Sequence, residues 1–392
     1  RDMLRLSALT TAGALLAACA PAAPAAPGQA AESGTAAPAQ SKARIVATTQ
    51  MPITQWDPAV ERAVAELPNI DLNLTMTDIS QGGWAGYSDN IVTLIAGGEQ
   101  LDVIMIAIEG LRLLTSKQIL APLDDFLAAD TEAKNVLESD VHPTLREMLQ
   151  VDGQQMEYPF SWNNMVTYYN TKIFEEKGVE LPSPDWTWDQ FLDSCLKIAN
   201  VTGGADDLFA YSFWGANAFG MSPWYFNNDT SALTPDWSAS NLQDPKVAET
   251  LQFLADLILK HKVSPNPEGW DEEAQFVSGH LAMRTCGRWC IAGLQNADFT
   301  DYDLQYVPHK SGPLKTVAGT DGWGVATATK NAEAAWEVLK FLSNTEAAID
   351  MVKSGGNVPA LRSVAEMPFF TEFGPANTAI FYESLDAAAT VP

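Results

Sequence analysis

The chain predicts an α/β fold with a parallel sheet, and three observations carry that expectation. Strand-like and helix-like segments alternate from residue 44 onward. One of them, Asp102-Val103-Ile104-Met105-Ile106-Ala107, is a continuous apolar run of the kind buried on both faces of a parallel sheet. Residues 245–261 carry Val247, Leu251, Leu254 and Ile258 on one helical face, the pattern of a helix packed against such a sheet.

The elements follow in order. Residues 44–49, Arg44-Ile45-Val46-Ala47-Thr48-Thr49, form the first extended run. A helix comes next, with Pro58 near its start and Val60, Val64 and Leu67 at helical spacing. Apolar residues alternate through 71–77, which predicts the second strand. A helix over 87–96 stops at Gly97-Gly98, and the apolar run at 102–107 supplies the third strand. Asp152-Gly153 is a hairpin turn signal. It leads through Tyr158-Pro159-Phe160 to a strand over 165–170, with helices over 171–177 and 188–199 after it. Strands are predicted over 303–307 and 323–327. A last helix is marked by Ala332, Ala335, Trp336, Leu339 and Leu342. No internal repeat of solenoid period is present.

Ahead of this body lies a different kind of sequence. Residues 6–18 are apolar, follow Arg1 and Arg5, and are too short for the roughly 20 residues a membrane span needs. They read as the core of an export signal. Leu16-Ala17-Ala18-Cys19 resembles a bacterial lipobox, in which the cysteine is lipidated. Arg1-Asp2-Met3-Leu4-Arg5 resembles the second half of a twin-arginine motif, so Arg1 reads as the second Arg of a longer signal. Residues 20–41 are almost only Ala, Pro, Gly, Ser, Thr and Gln and read as a flexible tether. No other segment is apolar enough to span a bilayer.

About 350 residues remain for the body, enough for two lobes of ordinary domain size. The formal net charge is −26, from 49 acids against 23 bases. Phosphate binding needs a basic face, so nucleic acid is not an expected partner. Cys195 sits in an apolar helical pattern and reads as a buried thiol. Cys286 and Cys290 could pair in an oxidising compartment, but the geometry would be poor if both lay on one helix. A C-x-x-x-C pair without a His or Cys companion is a weak zinc signal. The four histidines are scattered without ligand spacing, and neither a P-loop nor a G-x-G-x-x-G is present. No metal or cofactor is expected.

The body resembles one family, the extracellular solute-binding proteins of ABC importers, of the sugar-binding, maltose-binding-protein-like type. Tyr87 with Leu94-Ile95-Ala96-Gly97-Gly98 and Asp102-Val103 resembles that family's "Y-x-x-K-L…A-G-G-x-x-P-D-V", with Leu101 in place of the Pro. Leu120-Ala121-Pro122-Leu123-Asp124-Asp125 resembles "L-x-P-L-D-D". Tyr158-Pro159-Phe160 followed by Tyr168-Tyr169-Asn170 resembles "G-x-P-F…L-Y-Y-N". Trp186-Thr187-Trp188-Asp189-Gln190-Phe191, Gly279-His280-Leu281-Ala282-Met283 with Gly287-Arg288-Trp289, and Gly322-Trp323-Gly324-Val325 match later pieces in the family's order. The resemblance implies a two-lobed periplasmic-binding-protein fold (type II) with the ligand in a cleft between hinged lobes. Its expected layout is 1–18 export signal, 19–43 lipid-anchored tether, 44–166 first lobe, 167–318 second lobe, 319–353 return to the first, and 354–392 second lobe. It also implies further second-lobe helices after Val391-Pro392, which this sequence does not contain.

The resemblance implies a sugar or oligosaccharide ligand, an ABC permease as partner, and a monomer exported to the outer face of the membrane or the periplasm and held through Cys19. Sugars stack on flat rings and offer hydroxyls to planar polar groups, and the chain has 12 Trp. Six sit in loop-like settings and are candidate cleft residues: Trp56, Trp84, Trp162, Trp214, Trp289 and Trp323. Trp186, Trp188 and Trp336 read as structural, and Trp224, Trp237 and Trp270 stay unassigned. Glu109 follows the third strand at its carboxyl end, where open α/β sheets bind ligands. Asn163, Asp321 and Arg362 occupy loops resembling ligand loops. The competing readings are a ligand-loaded sensor for a membrane receptor and a secreted carbohydrate hydrolase. No G-x-S-x-G, H-E-x-x-H or distinguishable carboxylate pair marks an enzyme, so no catalysis is expected.

Overall fold

The computed structural model describes residues 42–390 apart from 81, 214–216, 235–237, 267 and 373. The segments expected to be export signal and tether, with Cys19, and Trp214 lie outside the described residues. Among the described residues fourteen strands follow in chain order. The first six are β1 Ala43–Thr49, β2 Ile70–Met76, β3 Val103–Ala107, β4 Leu120–Ala121, β5 Gln150–Val151 and β6 Gln154–Gln155. Then come β7 Tyr158–Asn164, β8 Val166–Asn170, β9 Phe209–Ser212, β10 Leu281–Cys286 and β11 Tyr302–Gln305. The last three are β12 Thr316–Ala326, β13 Val358–Pro359 and β14 Ala388–Thr390.

They form two main sheets. The larger runs β13-β7-β12-β3-β1-β2, with β4 and β14 added beside β12. The smaller runs β11-β8-β10-β9. The expected parallel pairing holds for β1 with β2 and β3. It stops at β12, which is antiparallel to both β3 and β7. The reason is topological: β12 enters this sheet from the other one, not through a crossover helix, so nothing turns it parallel.

Only Met165 separates β7 in the larger sheet from β8 in the smaller. The chain returns at Thr316, the first residue of β12, whose hydroxyl donates to the Met165 carbonyl at 2.9 Å. The two crossings therefore run side by side. Val358–Pro359, which the family resemblance assigned to the second lobe, pairs with Trp162 and Ser161 of β7 in the larger sheet. The tail reaches the smaller sheet further on, where Asn377 bonds to Asp303 and to the Leu304 carbonyl.

Local chemistry sets the element ends. Thr187 and Gln190 form a reciprocal capping box that starts the helix Trp188–Ile198. Asn170 caps Thr171–Lys177 by accepting from the Ile173 N–H at 3.0 Å. Asp152 and Gly153, both at positive φ, turn the β5–β6 hairpin. β3 is buried along its whole length, as its apolar run requires. The smaller sheet packs one face on an aromatic cluster containing Phe191, Tyr211, Trp188 and Trp224. Cys195 is buried there as a free thiol. Cys286 and Cys290 form a disulfide. They do not share a helix: Cys286 ends β10, and Cys290 opens the helix Cys290–Asn296. Among the described residues no helix is long and apolar enough to cross a membrane.

Candidate functional site

A cleft of about 630 Å³ opens where the two sheets meet. The larger sheet supplies its floor through Gly319, Thr320 and Asp321 of β12 and Asn163 of β7. Ala107 and Glu109 stand at the carboxyl end of β3, the end at which open α/β sheets bind ligands. Trp84, in the first turn of the helix Gly83–Ala96, forms one wall and meets Tyr87 edge-on at 5.5 Å. On the smaller sheet's side, Asn217 caps the helix Ala218–Phe226 and presents Phe219, while Trp289 projects from the turn after β10. The Phe219 and Trp289 rings lie 6.1 Å apart. Gly319 is required by this packing, since a Cβ there would stand 2.7 Å from the Phe219 ring.

The polar groups are amides and carboxylates. Gln50, Asn163, Asn217 and Asn357 line the cleft with Glu109 and Asp321. Asp321 is 5% exposed and held at both oxygens, by the Ser161 hydroxyl at 2.6 Å and by the Asn357 amide at 3.2 Å. Burial pushes its carboxyl up to about 6, against the pull of those two donors. Glu109 is open to solvent at its surface yet walled by protein within the cleft. That crowding, with a smaller push from the Asp321 charge, raises its carboxyl to about 7. Behind them Glu157 is fully buried, and burial followed by the Asp321 charge drives it well above the ordinary range. No Lys or Arg is among the described residues that line the cleft. No group of three or more His, Cys, Asp or Glu among the described residues could hold a metal ion.

The structure brings Trp84, Glu109, Asn163, Trp289 and Asp321 together, five of the residues singled out from the sequence. Three others are in the core. Trp56 packs against Phe160 at 5.2 Å and Trp323 at 5.3 Å, beneath the helix Asp57–Glu66. Trp162 alternates with Asn163 along β7, so its ring leaves the cleft face and meets Tyr382 at 6.3 Å. Trp323 lies two residues deeper along β12 than Asp321 and is fully buried. Arg362 is exposed on the short helix Arg362–Ala365, over the Tyr382 ring and away from the cleft. Gln50, Asn217, Phe219 and Asn357 were missed. Asn217 alone had a local signal, an N-cap type of residue three positions after the candidate Trp214 in the sequence.

Two sheets joined by adjacent crossing strands, with a cleft at the junction, are the architecture of type II periplasmic-binding proteins. The family of bacterial extracellular solute-binding proteins matches residues 71–379, and this chain belongs to it. A binding protein of Brucella abortus is 22% identical over 336 residues, covering 84% of this chain and 77% of its own. An ABC substrate-binding protein from Listeria monocytogenes in complex with cycloalternan shares the fold with a TM-score of 0.78 and 24% identity, covering 90% of this chain and 88% of that one. UgpB from Mycobacterium tuberculosis in complex with glycerophosphocholine shares it with a TM-score of 0.77 and 15% identity, at the same coverage.

Proposed function

We propose that this protein captures a sugar or oligosaccharide in the cleft and delivers it to the membrane subunits of an ABC importer. One observation carries the ligand class. Three aromatic rings, four side-chain amides and two carboxylates share a cleft whose described lining holds no cation. Rings cover the apolar faces of a pyranose, and planar amides and carboxylates accept and donate to its hydroxyls. An anionic ligand such as a phosphodiester would meet Glu109 and Asp321 with no cation among the described lining residues to neutralise it. The cyclic sugar held by the Listeria relative is in keeping with this reading, and the glycerophosphocholine of UgpB is the contrasting case.

Capture works by closure. The adjacent crossings at Met165 and Thr316 let the two sheets swing together over a ligand, and the closed form is what docks on the permease. The lipobox-like Cys19 and the tether keep the body near that partner. The role is binding, not catalysis. Asp321, the more buried carboxylate, has both oxygens committed to Ser161 and Asn357, which leaves it poorly placed as a nucleophile or acid.

Calorimetric and tryptophan-fluorescence titrations with maltotriose, a chito-oligosaccharide and glycerophosphocholine test the ligand class. Saturable sugar binding without glycerophosphocholine binding is expected; the reverse would overturn it. Cleavage products after prolonged incubation would overturn the binding-only role. Labelling of the full-length protein with an alkynyl fatty acid, lost in Cys19→Ser, tests the anchor.

A further inference from the structure

Cys286 and Cys290 enclose three residues, Gly287, Arg288 and Trp289, whose hydrogen bonds reach β8, β7 and the segment after the helix Thr345–Lys353. The Gly287 carbonyl accepts from the Tyr168 hydroxyl at 2.6 Å. Gly287 is also where the Trp289 ring comes to rest, because any Cβ on residue 287 would collide with that ring. The Arg288 N–H donates to Oδ1 of Asn163 at 3.3 Å. Its fully buried guanidinium donates to the carbonyls of Val352 (3.3 Å), Gly356 and Asn357 (3.3 Å), around the end of the helix Thr345–Lys353. Carbonyls at a helix C-terminus carry partial negative charge, which suits a buried cation with no carboxylate among these contacts. The Phe370 ring closes over the same guanidinium at 5.0 Å. Asn357 in turn donates to Asp321. Two cleft residues on separate segments, Asn163 and Asn357, are thus tied to the short loop that carries a third, Trp289.

The disulfide closes that loop from behind. It joins the end of β10 to the start of the next helix, with the Arg284 guanidinium donating to the Cys290 sulfur at 3.0 Å. We propose that the Cys286–Cys290 bridge is a positioning element of the ligand site, fixing the Gly287–Trp289 loop so that Trp289, Asn163 and Asn357 hold their binding geometry before the ligand arrives. This rests on the sugar-capture reading above for its ligand. Without the bridge the loop is held by its hydrogen bonds alone, and re-ordering the Trp289 side chain on binding weakens binding about fivefold to tenfold.

The test compares the wild-type chain with the Cys286→Ala/Cys290→Ala double variant, and with Gly287→Ala, which keeps the bridge but displaces the Trp289 ring. Amide hydrogen exchange without sugar should speed up across residues 287–290 in the double variant and stay unchanged in β12. Unchanged exchange in the loop overturns the proposal, and this readout needs no ligand. Maltotriose affinity should fall about fivefold to tenfold in the double variant, with the protein still folded by its thermal melt. In a Trp289→Ala background, removing the bridge should cost less affinity than it does in the wild-type chain; an equal loss would mark the bridge as a general stabiliser and overturn the positioning role. Should the double variant not fold, Gly287→Ala decides: its affinity must drop while its melt stays within a few degrees of wild type, and unaltered affinity overturns the proposal. Failure of wild-type protein to bind any sugar would refute the ligand class, while the exchange comparison would still decide the role of the loop.

Discussion

Ser161 and Asp321 face each other across the β7–β12 pair, and the Ser161 hydroxyl donates to Oδ1 of Asp321 at 2.6 Å. The Asn357 amide donates both to this hydroxyl, at 2.9 Å, and to the other carboxylate oxygen. A buried acid is thereby fixed at the floor of the cleft, beside the point where the chain passes between its two sheets.

The first consequence concerns stability. The Asp321 carboxyl is raised to about 6 in the folded protein, so between about pH 4 and 6 the native state holds its proton more tightly than the unfolded chain does. The contribution of this group is fully present below pH 4 and is lost as pH rises through 6. The loss is on the order of 3 kcal/mol. Asp321→Asn should flatten that part of the stability profile in melts run from pH 4 to 7. A slope identical to wild type would mean that Asp321 ionises in its ordinary range.

Ligand affinity should respond to pH in the opposite direction. An ionised carboxylate accepts stronger hydrogen bonds from sugar hydroxyls than a protonated one. With Asp321 titrating at about 6 and Glu109 at about 7, sugar affinity should rise from pH 5 to pH 8. Glu109→Gln should remove the upper part of that rise. Calorimetry at several pH values reads it directly, and a flat profile would take both carboxylates out of the ligand contacts.

The tryptophans should divide into two groups. Trp84→Ala and Trp289→Ala are expected to weaken sugar binding about tenfold or more, with small effects on the melt. Trp323→Ala should cost about 3–5 kcal/mol of stability, because it empties a fully buried site against Trp56. Parallel melts and titrations separate the groups. A binding loss in Trp323→Ala without destabilisation would place that ring in the cleft after all.

Asp130 offers a control remote from the cleft. Its carboxylate caps the helix Thr131–Ser139 through the Ala133 N–H and pairs with Lys340 at 2.7 Å, and these hold it down at about 2. Asp130→Ala should cost about 1–2 kcal/mol near neutral pH. The folded-state value is depressed, so this stabilisation exists above about pH 4 and fades as pH falls through 2. Melts of variant and wild type should therefore converge in acid, with sugar affinity unaltered at pH 7.

Much of the fold was legible because its signals are local. The alternation in β2, the unbroken apolar run of β3 and the helical spacing at 332–342 each need only a few neighbouring residues to specify them. Strands β7, β9 and β10 were not among the elements expected from the sequence. All seven residues of β7 are buried, Ser161, Asn163 and Asn164 included, so its short Phe160-Ser161-Trp162-Asn163 alternation separates core from cleft and not core from solvent. Ser161 and Asn164 bond to partners at great sequence distance, Asp321 and Ser384.

The same division runs through the site. By itself the sequence determined which chemistry was available: the α/β elements, the tryptophans, and the acids at strand ends. Trp162 and Asn163 are adjacent and part by strand alternation, but Trp323 and Asp321 are two residues apart on one strand, share a face, and are still split between core and cleft. Only the tertiary structure decided that split. A period-two strand fixes which side chains share a face, while their depth depends on what packs over it. Here the helix Asp57–Glu66 and the tail around Tyr382 cover the rings, and the junction between the two sheets leaves Asn163 and Asp321 open to a ligand.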